Sequence, residues 1–129
     1  PPRSTLFPYT TLFRSLADIA DAFAETVDAL ETATDWVLAN GQDRIADVLA
    51  GAVPFLYLLG TVVGGWQLAR AAQAARRRLV EGEGDAAYHS SLMELARFYL
   101  ATVGPQAAAH AATVCEAGGA LTRFDDSAF

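Results

Sequence analysis

Very little in this 129-residue chain can cross-link it, and little interrupts a helix. It has one cysteine, Cys115, and one methionine. A single thiol excludes an intrachain disulfide and any cysteine-only metal site, and it fits a reducing compartment. There are five prolines, and only Pro54 and Pro105 lie beyond residue 15. Basic residues are few, 9 against 15 acids, for a net charge of −6 and an isoelectric point near 4.7. That balance argues against general nucleic-acid binding. No segment alternates apolar and polar residues between hairpin turns, so strands are not expected. Ala, Leu, Glu and Arg dominate after residue 16, and the composition favours helix throughout.

The first fifteen residues stand apart. PPRSTLFPYTTLFRS has no acid and no helical or alternating period, and it reads as the one-frame translation of a common short-read sequencing adapter. Pro8 and the threonines break any apolar core a secretion signal would need. The expectation is that residues 1–15 are non-native and that the natural sequence begins near Leu16 on a reading frame cut upstream. Residues 16–129 suffice for one domain.

What the chain does have is a long apolar run. Val48–Ala69 is 22 residues without a formal charge, interrupted by Gly51, Pro54, Gly60, Gly64 and Gly65. Its neighbours carry helical patterns. Leu16, Ile19, Phe23, Thr26/Val27, Leu30, Ala33 and Val37 recur three and four apart and predict a helix from Leu16 to Ala39, acidic on its other side. Asn40–Gly41 predicts a left-handed stop. A second helix is expected after Asp43 as N-cap, kinked or restarted at Pro54, and continuing to Arg78 or Leu79. Its expected inward stripe is Phe55, Leu59, Val62, Trp66, Ala69 and Gln73, with Gly60 and Gly64 on a neighbouring ridge. Glu81–Gly84 is expected to be a flexible loop. Asp85 caps a third helix to Val103, with Leu92, Leu95/Ala96, Tyr99 and Val103 facing inward. Pro105 restarts the helix, which stops at Gly118–Gly119, with Leu121 and Phe124 folded back on the body. The predicted architecture is all-α, an antiparallel bundle of three to four helices with proline kinks near Pro54 and Pro105.

The run is also long enough to cross a bilayer. Gly60-Thr-Val-Val-Gly64 is a small-xxx-small pattern, and Arg70 and Arg76–Arg78 flank one end. The glycines and Pro54 cost roughly 7 kcal/mol of helix propensity in water, so a water-borne helix here depends on close packing. The apolar stripes of the flanking helices favour a bundle, and burial of Phe55, Leu56, Leu58, Leu59, Val62 and Trp66 would contribute roughly 10–15 kcal/mol before entropy. A small membrane-associated protein with Val48–Ala69 as its span is the alternative.

The sequence holds no sign of chemistry of its own. His89 and His110 are the only histidines; His110 and Cys115 diverge by about 140° on a helix. No catalytic, cofactor-binding or metal-binding residue is predicted. The residues singled out are Gly60, Gly64, Gly65 and Trp66 for helix packing, and Arg70, Arg76, Arg77 and Arg78 for an interdomain or anion contact. Three consecutive arginines sweep about 200°, so they cannot all face one ligand; a cationic helix end that complements the dipole is the simpler reading.

AGAVPFLYLLGTVVGGWQLARAA (50–72) and FYLATVGPQAAAHAATVCEAGGAL (98–121) carry a resemblance, to which ATDWVLAN (33–40) adds. With glycines, tryptophan and arginine in matching order, they resemble the C-terminal helical extension of a subgroup of acyl-CoA dehydrogenases. The resemblance covers nearly all of residues 16–129. It implies an appended domain of a cytoplasmic, homo-oligomeric, FAD-dependent enzyme of fatty-acid metabolism that removes hydrogens from the α and β carbons of an acyl-CoA thioester. The catalytic glutamate and main FAD and CoA contacts of that family belong to a core upstream of this chain, so no such residue is carried over. The expected partner is that missing N-terminal core, without nucleic acid or membrane.

Overall fold

A computed structural model describes residues 15–128; the expectation for residues 1–15 therefore falls, Ser15 apart, outside the described residues. Five α-helices follow in order: α1 Ala17–Asn40, α2 Ile45–Ala50, α3 Ala52–Glu81, α4 Ala86–Thr102 and α5 Gln106–Leu121, with a 3₁₀ turn at Asp126–Ala128. Among the described residues there is no strand. The all-α antiparallel bundle expected from the sequence is what forms.

Five helices make three rods. α3 is the long central one, 30 residues. α1 runs antiparallel to it, and α4 and α5 follow one another along it, joined at Gly104–Pro105. The core accordingly has two parts. At one end Ile19 of α1 meets Ala72, Ala75 and Leu79 of α3 and Met93, Ala96 and Leu100 of α4. At the other, Ala33 meets Leu58 and Val62 of α3 and Ala107, Ala111 and Val114 of α5. The short α2 plugs that second end by packing on α5.

Helix ends show where local chemistry acted. The Asp85 carboxylate accepts from the amides of Ala87 (2.9 Å) and Tyr88 (3.3 Å), the expected cap of α4. Gly82 ends α3 at φ 70°, with the Glu83 amide donating to the Arg78 carbonyl at 2.9 Å, a left-handed stop that L side chains resist. Other expected ends are corrected. Gly41 is right-handed (φ −63°), and the Asn40 amide closes α1 by donating to the Trp36 carbonyl at 2.8 Å. The N-cap of α2 is Arg44, not Asp43, and its side chain makes no cap bond.

The restart expected at Pro54 comes two residues earlier, and the one expected at Pro105 is present. The chain breaks at Gly51, and Pro54 lies in the first turn of α3, where amides have no partner in the helix, so it causes no kink there. A Cβ on Gly51 would lie 3.2 Å from the Val114 Cα, so the break sits where α5 approaches. Pro105 does interrupt the third rod between Thr102 and Gln106. α5 runs through Gly118–Gly119 to Leu121, so the expected stop there is corrected. Gly118 instead lets α2 approach: a Cβ on it would lie 2.5 Å from the Asp47 Cβ and 2.6 Å from the Asp47 carbonyl oxygen.

The inward stripe of α3 is rotated from the one expected. The buried residues are Leu58, Thr61, Val62, Gly65, Ala72, Ala75 and Leu79. Phe55 is half-buried, whereas Leu56 (64%), Leu59 (40%), Val63 (46%) and Trp66 (45%) stay exposed. The physical reason is that α3 is apolar almost all round at its first half, so period alone does not choose a face. On the buried side Thr61, Gly65, Ala72 and Ala75 let the rods close around Leu58, Val62 and Leu79, while Leu56, Leu59, Val63 and Trp66 are left outside. Leu95 is likewise exposed, with Met93 and Leu100 taking the inward places, and Leu121 and Phe124 are exposed on the tail.

Candidate functional site

The glycines expected to serve helix packing divide. Gly65 is buried, and a Cβ there would meet Leu100 and Phe23 side chains at 3.3 Å. Gly64 lies under Tyr99, whose ring carbon Cζ would be 3.0 Å from a Cβ and whose hydroxyl donates to the Thr61 carbonyl at 3.0 Å. Burial raises the Tyr99 pKa above its ordinary value of 10.0. Gly60 differs: a Cβ on it would meet nothing within 4 Å, so no helix of this bundle approaches there. Trp66 is half-exposed beside Phe23, Ile19 and Ala69, with the Arg70 guanidinium 4.9 Å from its ring centroid. Trp36 has a similar guest in Arg44, at 5.8 Å.

Of the four arginines, three come together. Arg70, Arg76 and Arg77 line a surface cleft of about 610 Å³ with Leu16, Gln73 and Glu81. Arg78 is not part of it. An adjoining, more apolar groove of about 320 Å³ shares Leu16, Arg70 and Gln73 and is walled by Ile19, Phe23 and Trp66. The pair forms a cationic recess with an apolar margin on a chain of net charge −6. Such a recess suits a carboxylate or phosphate attached to, or bordered by, an apolar surface.

The remaining titratable groups do not converge. His89 is buried and its Nε2 sits 3.1 Å from the Glu83 carbonyl, pinning the loop that precedes it. Its Nδ1 has no hydrogen-bond partner among the described residues. His110 packs beside Tyr57 at 5.7 Å between ring centroids. Cys115 lies in a shallow pocket with Glu25, Thr32 and Glu116; burial first, and the charge of Glu116 second, raise its thiol pKa above 9.0. Among the described residues no group of three or more His, Cys, Asp and Glu is placed to hold a metal ion.

Two polar contacts escaped the sequence reading. Arg97, only 11% exposed at its side chain, spans from α4 to the start of α1: it donates to Asp18 at 2.7 Å, to Glu94 at 2.9 Å and to the Ser15 carbonyl at 3.1 Å. Asp47, on the buried side of α2, pairs with Arg44 at 2.6 Å, while its Oδ1 is buried without a partner. No periodic pattern marks a pair 79 residues apart, and only the antiparallel rods bring it together.

One helix among the described residues, α3, is long and apolar enough to cross a membrane by composition, and 22% of its most apolar window is buried. It is nonetheless flanked over its whole length by α1 and by α4–α5. The comparisons with known proteins fit this helix into a different setting. Over 103 residues the chain is 32% identical to the 3-methylmercaptopropionyl-CoA dehydrogenase of Ruegeria pomeroyi, a match covering 80% of this chain and 17% of that protein. The chain thus spans under a fifth of that relative. No solved structure matches it. Residues 7–125 match the family described as acetyl-CoA dehydrogenase C-terminal like. The chain therefore belongs to this family of acyl-CoA dehydrogenase C-terminal domains, and the membrane-protein alternative is not favoured.

Proposed function

We propose that this chain serves as a non-catalytic structural and assembly domain of a cytoplasmic, homo-oligomeric, FAD-dependent acyl-CoA dehydrogenase-type enzyme. The parent enzyme introduces a double bond between the α and β carbons of an acyl-CoA thioester. Family membership over nearly the whole chain, together with a span of only 17% of the dehydrogenase it matches, is the observation that carries this reading. The flavin and the reacting carbons belong to the rest of such an enzyme, and this domain contributes a rigid three-rod body. Its recess formed by Arg70, Arg76 and Arg77 then takes an acidic side chain of the catalytic body or of a second subunit. An anionic part of CoA is the other group of matching charge.

The test is direct. The purified chain, given FAD, an acyl-CoA and an artificial electron acceptor, is expected to show no reduction of the acceptor. The Ruegeria relative carrying residues 16–129 in place of its own matched segment is expected to retain turnover of 3-methylmercaptopropionyl-CoA. Turnover by the chain alone, or failure of the hybrid to assemble and turn over, would reject the assignment. Arg70, Arg76 and Arg77 changed to Glu in the hybrid should then weaken assembly; unchanged assembly and unchanged KM would remove their proposed role.

A further inference from the structure

We infer that the outward face of α3, centred on Gly60, is the surface on which the catalytic body of such an enzyme seats; the inference rests on the domain role proposed above. At about 100° per residue, Val53, Leu56, Gly60 and Val63 fall on the side of α3 opposite Leu58, Gly65 and Ala72. All four are exposed, with Leu59 and Trp66 along one margin. On α4, Leu95 and Phe98 are exposed as well. From Ala52 to Ala69 the helix carries no charge. Soluble domains seldom leave so continuous an apolar face uncovered.

Gly60 supplies the independent observation. A glycine inside a helix weakens it relative to alanine, and such a residue is explained when a neighbour needs the space. Gly64 and Gly65 have such neighbours within the chain, and Gly60 has none within 4 Å. Its missing side chain leaves open space on the outer side of the helix, with room for a side chain or helix from outside.

Two features point to the catalytic body as the occupant. The match spans 17% of the dehydrogenase relative, so most of an enzyme of this type lies outside the region seen here. The start of α1 lies beyond the Trp66 margin of this face: Leu16 lines a groove with Trp66, Ala69 and Arg70. A catalytic body joined to this domain through the chain that precedes α1 is held close to it, and tethering favours contact through high effective concentration. Asp21, Asp28 and Asp35 fall on the side of α1 away from its buried stripe at the same angular spacing.

The experiment places single cysteines at Leu56→Cys and Val63→Cys, with Asp21→Cys as the control, all in a Cys115→Ser background. Each is made in the free chain and in the hybrid dehydrogenase, and maleimide labelling rates are compared. In the hybrid the two α3 sites should label about tenfold or more slowly than in the free chain, since a covered site reacts only through local opening. Asp21→Cys should label equally in both. A hybrid that turns over substrate yet labels Leu56→Cys and Val63→Cys at the free-chain rate overturns the docking surface and leaves the domain role standing. Equal protection at Asp21→Cys overturns it too. A hybrid without turnover rejects the domain role itself. Protection already present in the free chain, with sedimentation showing a dimer, assigns the face to a second copy and overturns the catalytic body as occupant.

Discussion

Three helical glycines should respond with different signs to the same added methyl group. At Gly118 a Cβ would be driven onto Asp47, including its Cβ at 2.5 Å and carbonyl oxygen at 2.6 Å. Those atoms are the backbone and first side-chain carbon of α2, held by the Arg44–Asp47 pair at 2.6 Å, so they cannot swing aside. Overpacking of this kind costs about 1–3 kcal/mol or more, against up to about 1 kcal/mol gained in helix propensity. Gly118→Ala is therefore expected to lose about 2 kcal/mol net. At Gly60 nothing lies within 4 Å, and Gly60→Ala should gain about 0.5–1 kcal/mol. At Gly64 the obstacle is the tip of Tyr99, which can move if it gives up its hydrogen bond to Thr61. That loss of about 1 kcal/mol roughly cancels the propensity gain. The expected order of stability is Gly60→Ala, then wild type and Gly64→Ala together, then Gly118→Ala. Urea unfolding followed by helical circular dichroism would read it, with the Gly118→Ala midpoint lowered by about 1 M. Gly118→Ala as stable as wild type would refute the close approach of α2 and α5. A destabilised Gly60→Ala would refute the open space there.

The other expectations are smaller. Arg97→Ala should cost about 1–2 kcal/mol, and because Asp18 and Glu94 are half-exposed the difference from wild type should shrink in 1 M NaCl on the order of the screening expected at that ionic strength; thermal melts at two salt concentrations measure it. Tyr99 has its pKa raised in the fold, so the folded state holds that proton more tightly than the unfolded one. The sign follows: its contribution is fully present below the unfolded value near 10 and is lost as pH rises through the folded one. Tyr99→Phe should lose about 1 kcal/mol at neutral pH and flatten the alkaline decline in stability. The Cys115 thiol, raised by burial and then by Glu116, should react with iodoacetamide more slowly than a free thiol at pH 8; Glu116→Gln should speed it, and a rate at or above that of the free thiol would contradict the assigned environment.

The rods were legible in the sequence because their signals are local. Asp85, the Gly82–Gly84 loop and the Gly104–Pro105 break each act within one turn of chain. The choice of face was not local. α1 mixes acids with one apolar stripe, and Ile19, Thr26 and Ala33 are buried as its period indicates. α3 offers apolar residues in nearly every direction between Ala52 and Ala69, so the face was decided by where small residues beside Leu58, Val62 and Leu79 let α1 and α4 approach. Thr61, Gly65, Ala72 and Ala75 are those small residues. Phe55, Leu59 and Trp66 are not, although their larger areas made them the natural choice on burial alone. Of the arginines, Arg70 and Arg77 share a cleft because positions 70 and 77 are nearly two turns apart; Arg76 lines it from one side, and Arg78, on the other side of Arg77, does not.

The exposed face also revises the energetic case for α3. If Leu56, Leu59 and Trp66 had been buried by the bundle, the helix would need nothing further to explain its composition. They are exposed, and the small residues on the inner side contribute less apolar area per residue. A second body over the outer face, as inferred above, would reconcile composition with burial. A bilayer would accept Leu56 and Val63, but lipid chains conform to an alanine as readily as to a glycine, so Gly60 points to a close protein partner and not to lipid itself. A folded partner gives a reason for the glycine, because its side chains have fixed places. The glycine that looks least necessary to this bundle is thus the one that most favours a protein surface over a lipid one, and Gly60→Ala should separate them: stabilising in the free chain, yet weakening attachment of the domain in the hybrid dehydrogenase. Equal attachment of the wild-type and Gly60→Ala domains would return the choice to a surface without fixed shape.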